Sequence, residues 1–172
     1  MNAVDALKSN IQMADMICGA YLGDLSNEDL MQRPHSGCNH LNWQLGHLVS
    51  SDNSMFNGMF AGEMPALPEG FAEKYSKENK DSDDPAAFCT KDELMEIHQA
   101  QRAAVMAKLD SLSDADLDAP GPESLRSFAP TVGAVLAMLG SHWIMHAGQW
   151  VIVRRELGKD VVVPRHKKKK KK

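Results

Sequence analysis

Two interleaved seven-residue registers towards the C-terminal end constrain this chain more than any other feature. Leu136, Trp143, Trp150 and Leu157 fall in one register, and Val132, Leu139, His146 and Val153 in the next. Apolar residues at this spacing make a helix whose seam has to be buried against other helices, so the segment demands a bundle. Arg154 and Arg155 sit near the negative end of the helix dipole, and Gly158 follows in the C-cap region.

Three further amphipathic segments supply the partners. Val4, Leu7, Ile11, Ala14, Cys18 and Tyr21 advance in steps of three and four, predicting a first helix over roughly residues 3–23. A short capped turn built on Ser26, Glu28, Asp29 and Leu30 follows and is stopped by Pro34. Leu41, Leu45, Leu48, Met55 and Met59 predict a second helix over roughly 40–60, with Asn39 or Ser36 as its cap. Thr90 and Glu93 form a capping box that opens a third helix running to about Leu112. Its apolar stripe of Leu94, Ile97, Ala104 and Val105 is interrupted by His98 and Gln101.

Residues 61–89, with Pro65, Pro68, Pro85 and a polar run from Lys77 to Asp84, read as a long loop, and 113–129 as another. Val161-Val162-Val163 can extend briefly, but the body holds no convincing strand. Leu25-Ser26-Asn27-Glu28-Asp29-Leu30 returns as Leu112-Ser113-Asp114-Ala115-Asp116-Leu117. Each copy precedes a helix with a related landmark, Leu45-Gly46-His47 in one and Leu139-Gly140-Ser141-His142 in the other. The expected fold is therefore all-α: a four-helix bundle with a pseudo-two-fold helix-pair repeat and a long loop between helices two and three. It occupies residues 1–163 as one domain, followed by a basic, disordered tail at 164–172.

The formal charge of −4 conceals an acidic body. Without Lys167 to Lys172 there remain 13 Lys and Arg against 23 Asp and Glu, a net −10. Such a body lacks the cations with which proteins neutralise phosphates, so a specific nucleic-acid partner is not expected. Cys18, Cys38 and Cys89 are odd in number and form no C-x-x-C pair, which excludes a disulfide framework and a thiolate zinc site. No charged leader with an apolar core opens the chain and no apolar run approaches membrane-spanning length, so a cytoplasmic protein without membrane attachment is expected.

Chemistry enters with the histidines. His142 and His146 are four apart on the strongest helix, which puts both rings on one face at adjacent turns. His47, on the second helix, is the one other histidine placed to join them: His35 and His40 lie at or before that helix's start, His98 on the irregular third helix, and His166 beside the tail. Three imidazoles can hold one divalent ion and leave a coordination position open. The competing reading is a set of partly buried histidines satisfied by backbone or carboxylate partners. Trp143 stands where a zinc-protease helix would carry glutamate, and no Glu-x-x-His motif is present. What remains is a mononuclear nitrogen-rich site, for which Zn and Ni come first and Fe, Mn and Co are also tolerable.

Asn42-Trp43-Gln44-Leu45-Gly46-His47-Leu48, His142-Trp143-Ile144-Met145-His146-Ala147-Gly148-Gln149 and the ending Arg154-Arg155-Glu156-Leu157-Gly158-Lys159 resemble the DinB-like (DinB/YfiT) superfamily of four-helix-bundle proteins. The resemblance implies a metal held by His47, His142 and His146, and a homodimer. It also implies, for members with known activity, transferase or isomerase chemistry on low-molecular-weight thiols such as bacillithiol or mycothiol.

The resulting expectation is a metal-dependent enzyme, a thiol-dependent S-transferase or a related transferase or hydrolase, acting on a small molecule through a metal-bound thiol or water. Gln149, Ser51 and Trp43 are candidates to support the ligands or touch substrate, with the 61–89 loop over the site; Asp52 is expected on a solvated bundle edge. The alternative is a non-enzymatic, stress-associated bundle whose metal mainly stabilises it. A third reading, an interaction module working through the lysine tail, predicts salt-sensitive binding.

Overall fold

A computed structural model of the chain describes residues 1–161. The basic tail at 164–172 and the extension expected at Val162 and Val163 lie outside the described residues. Four long helices make the body: α1 (Ala3–Leu22), α2 (Leu41–Met59), α3 (Lys91–Ser111) and α4 (Val132–Glu156). Among the described residues there is no strand beyond one isolated bridge, Pro120 with Thr131. No helix there is long and apolar enough to cross a membrane.

The helix starts are written into local side chains. Asn2 and Asp5 exchange bonds at the head of α1, and Thr90 and Glu93 form the expected capping box at the head of α3. Thr131 Oγ1 accepts from Ala134 N at 3.2 Å to open α4. Each such cap is worth about 1 kcal/mol. For α2 the expected caps, Asn39 and Ser36, give way to His40, whose Nδ1 accepts from Trp43 N at 3.0 Å. Burial lowers the His40 pKa to about 4, with Arg33 adding to the effect, so the ring stays neutral and keeps the lone pair a cap requires. The two halves of the repeat behave alike: Ser26 with Asp29, and Ser113 with Asp116, close the same reciprocal hydrogen bonds.

Cross-helix bonds fix the direction of each helix. Going up α1, Asn10, Cys18 and Tyr21 meet Ala137, Trp143 and Arg154, so α1 and α4 run parallel. On α2, Gln44 meets Trp150 and Asp52 meets Trp143, so α2 and α4 are antiparallel. Asn42, Val49 and Asp52 meet Cys89, Gln101 and Arg102, so α2 and α3 are parallel. The bundle is therefore up-down-down-up, and the chain has to climb the full height of α2, about 28 Å, before α3 begins. That return explains the length of residues 60–90. It is not structureless: Phe71–Lys74 forms one helical turn, and Met64, Phe71, Tyr75 and Phe88 are buried.

The core falls into two apolar halves separated by a polar layer. Leu48, Val49, Leu94, Trp143 and Trp150 belong to one half, and Ile11, Phe56, Val105, Leu136 and Leu139 to the other. Between them Arg102 reaches Asp15 at 2.9 Å and Asp52 at 3.2 Å, and donates to Leu139 O at 2.7 Å. His98 Nε2 lies 3.3 Å from Asp15 and its ring packs 4.1 Å from Trp143. The interruption of the α3 stripe thus has a structural meaning, since His98, Gln101 and Arg102 are all buried there. Asp52, expected on a solvated edge, is fully buried and accepts from Trp143 Nε1 at 2.8 Å. At the far end Arg154 is wholly buried, donating to Tyr21 O at 2.6 Å and to Asp160 O. Gly158 takes a left-handed φ of +67° that lets the chain leave α4.

Candidate metal centre

The antiparallel pairing of α2 and α4 brings His47 opposite His142 and His146. Ring centroids are 5.3 Å apart for His47 and His142, 5.6 Å for His47 and His146, and 5.0 Å for His142 and His146. One nitrogen from each ring lies within 4.8 Å of the others. Nitrogen ligands sit about 2 Å from a first-row ion, so small ring rotations close such a cluster on one ion.

Electrostatics favour the neutral, ligand-ready form of all three rings. Burial lowers the pKa of His47, and burial together with the neighbouring imidazoles lowers His142 and His146 to about 4. The rings therefore carry lone pairs at neutral pH. His142 Nδ1 is buried and has no hydrogen-bond partner in the protein, a polar atom that a bound ion or a ligand beside it would satisfy. The donor set and this orphan fit a divalent transition metal.

Two neighbours hold the rings. Trp43 stacks on His47 with centroids 5.2 Å apart and planes 7° from parallel, and its Nε1 donates to Ser76 O at 3.1 Å. The returning segment therefore braces the site through Trp43. Gln44 has the more decisive role, and nothing but its amide among apolar neighbours one turn before His47 hinted at it. Its Nε2 donates to Asn39 O at 2.8 Å and Gln149 Oε1 at 3.2 Å, so its Oε1 is the acceptor. That oxygen receives Trp150 Nε1 at 3.0 Å and lies 2.9 Å from His146 Nδ1. The proton of His146 must then sit on Nδ1, which leaves the Nε2 lone pair for a ligand role.

The remaining expectations divide. Ser51 is on the wall of an open cleft of about 740 Å³ that also includes His142, Ser50, Ser54 and Ser141. Gln149 touches Gln44, one step removed from the histidines. The 61–89 segment does not lie over this cleft: its Tyr75 packs on Gly46 and bonds Asn42 Oδ1 at 3.1 Å. The connector after α3 borders it instead, through Leu125 and Phe128. The cysteines play no visible part: all three are free, and burial pushes the Cys18 thiol up to about 12.

An up-down-down-up bundle with three histidines converging from α2 and α4 defines a helical protein with a potential mononuclear ion site. The family model of the DinB superfamily matches residues 18–150, and the chain belongs to that superfamily. No curated protein and no solved structure matches it.

Proposed function

We propose that the protein is a metal-dependent enzyme in which His47, His142 and His146 bind one divalent ion, Zn or Ni first, with Fe, Mn or Co as substitutes. The observation that carries this reading is the cluster of three ring nitrogens within 4.8 Å of one another, with His142 also on the wall of an open cleft. A site that only stabilises a fold has no need of an adjoining cleft. Among the described residues no carboxylate borders the cleft, so the chain offers no general base there beyond the proposed ligands. Bound at the histidines, a divalent ion would supply Lewis acidity and lower the pKa of a thiol or water towards neutrality. Gln44 holds the His146 proton on Nδ1, Trp43 keeps the His47 ring in plane, and the cleft positions a small-molecule electrophile against His142. The reaction class is thiol-dependent S-transfer or a related transfer or hydrolysis, in a cytoplasmic homodimer.

The test is metal content by elemental mass spectrometry of protein purified without chelator, beside His47→Ala and His142→Ala. Near one ion per chain, lost in both variants while helical circular dichroism persists, supports the site. Wild-type protein that takes up none of Zn, Ni, Fe, Mn or Co overturns it. A metal that binds but never supports turnover with thiols or esters leaves the stabilising role instead.

A further inference from the structure

The cleft beside the histidines has a composition that selects against charge. Its apolar side is Met55, Leu125, Phe128, Met138 and Met145, and its polar side is a group of serines from α2 and α4. Among the described residues, none on its wall is Lys, Arg, Asp or Glu. The Ser50 hydroxyl has no partner within the protein, so hydrogen-bonding capacity is left over on the polar side. Phe128 and Met145, 62% and 60% exposed, stand at the cleft, where they would be covered by a bound ligand.

Resting on the metal-site reading, we propose that this cleft takes an uncharged small organic molecule with an aliphatic or aromatic body and a hydrogen-bonding group directed at the serines and His142. A volume of about 740 Å³ lies in the range of small-molecule sites. An apolar body is favoured by the Met, Leu and Phe side. Away from an ion held at the histidines, a carboxylate or sulfonate placed among the Met, Leu, Phe and Ser side chains would lose water and find no cationic side chain to replace it. The charged part of any anionic co-substrate therefore stays outside this cleft.

The test uses the full-length protein, with and without one equivalent of Zn²⁺, titrated with neutral N-phenylnaphthylamine and with its sulfonated counterpart, anilinonaphthalene sulfonate. Fluorescence enhancement reads binding. The neutral probe is expected to saturate at one site per chain, at least about tenfold more tightly than the sulfonate, and Phe128→Ala to weaken it about tenfold. Ser54→Arg, on an exposed cleft position, is expected to reverse the preference by giving the anion a partner. Equal or tighter binding of the sulfonate by wild type overturns the proposal, as does a Ser54→Arg variant with both affinities unchanged. So does exclusion of both probes from a dimer that sedimentation shows Phe128→Ala to dissociate, because a second copy then covers the cleft. Elemental analysis of the same samples separates the two readings: metal uptake without charge selection sinks only this inference, and charge selection without metal uptake sinks only the metal site.

Discussion

Gln44 Oε1 accepts from both His146 Nδ1, at 2.9 Å, and Trp150 Nε1, at 3.0 Å, so one amide oxygen fixes a ring tautomer and a core indole together. Replacing it tests both functions. Gln44→Ala should weaken metal binding about 10–100-fold, as loss of a ligand's orienting partner does. It should also lower stability by about 2–3 kcal/mol through the orphaned Trp150 N–H and Asn39 carbonyl. Gln44→Glu keeps an acceptor for both donors and should retain more of the affinity. Competition titration with a chromophoric chelator measures the difference; equal affinities in wild type and Gln44→Ala would exclude the orienting role.

Gly46 is a close-approach position. A Cβ there would lie 2.1 Å from ring atoms of Tyr75. Gly46→Ala must displace the returning segment, and overpacking of this kind costs about 1–3 kcal/mol or more. Trp43 shares that contact region through Ser76, so the substitution should also loosen the His47 ring and reduce metal affinity. Urea unfolding and metal titration of the one variant read both effects.

In the buried layer Arg102 is the cation that faces both Asp15 and Asp52. Arg102→Leu leaves Asp52 fully buried without its cation and should cost about 3–5 kcal/mol. Asp52→Asn keeps an acceptor for Trp143 Nε1 and should cost no more than about 1–2 kcal/mol. Denaturant midpoints of the two variants should therefore separate clearly, and similar losses would show that the ion pair is not what holds the layer.

The cap of α2 predicts a pH dependence. His40 has its pKa lowered by burial from 6.5 to about 4, so the folded state resists protonating it while the unfolded chain does not. The stability it preserves is present above pH 6.5 and is lost as pH falls through about 4. Asp52 works in the opposite sense: burial raises it to about 7, so its contribution is full below pH 3.8 and fades as pH rises through 7. His40→Asn retains a capping acceptor but removes one titration. Between pH 7 and pH 4 the wild type should lose roughly 3 kcal/mol more than His40→Asn, with Asp52 cancelling from the comparison; parallel profiles would refute the assignment.

All four helices were legible in apolar steps of three and four, and the Thr90–Glu93 box in its spacing, because both are local properties. The histidine cluster was legible because His142 and His146 share a helix face and His47 had no competitor. The family model over residues 18–150 agrees with the resemblance. Gln44, Asp52 and the Asp15–His98–Arg102 group were missed as partners because their bonds cross between helices. Periodicity says that a polar residue is inward, never what it meets there. The role of the connectors was hidden for a related reason. Whether α2 and α3 run parallel is a tertiary choice, and that choice sends residues 60–90 along the bundle and leaves Leu125 and Phe128 at the cleft.

The separation of the histidines along the chain has a consequence for biosynthesis. His47 and His142 are 95 residues apart, yet their rings meet at 5.3 Å. At synthesis rates of about 5–20 residues per second, the second helix emerges seconds before the two histidines of the fourth exist. No nascent chain shorter than 146 residues contains the full cluster. The three-histidine coordination proposed above would therefore be complete only once the last helix has docked on the second, and full metal occupancy would become a record of completed folding.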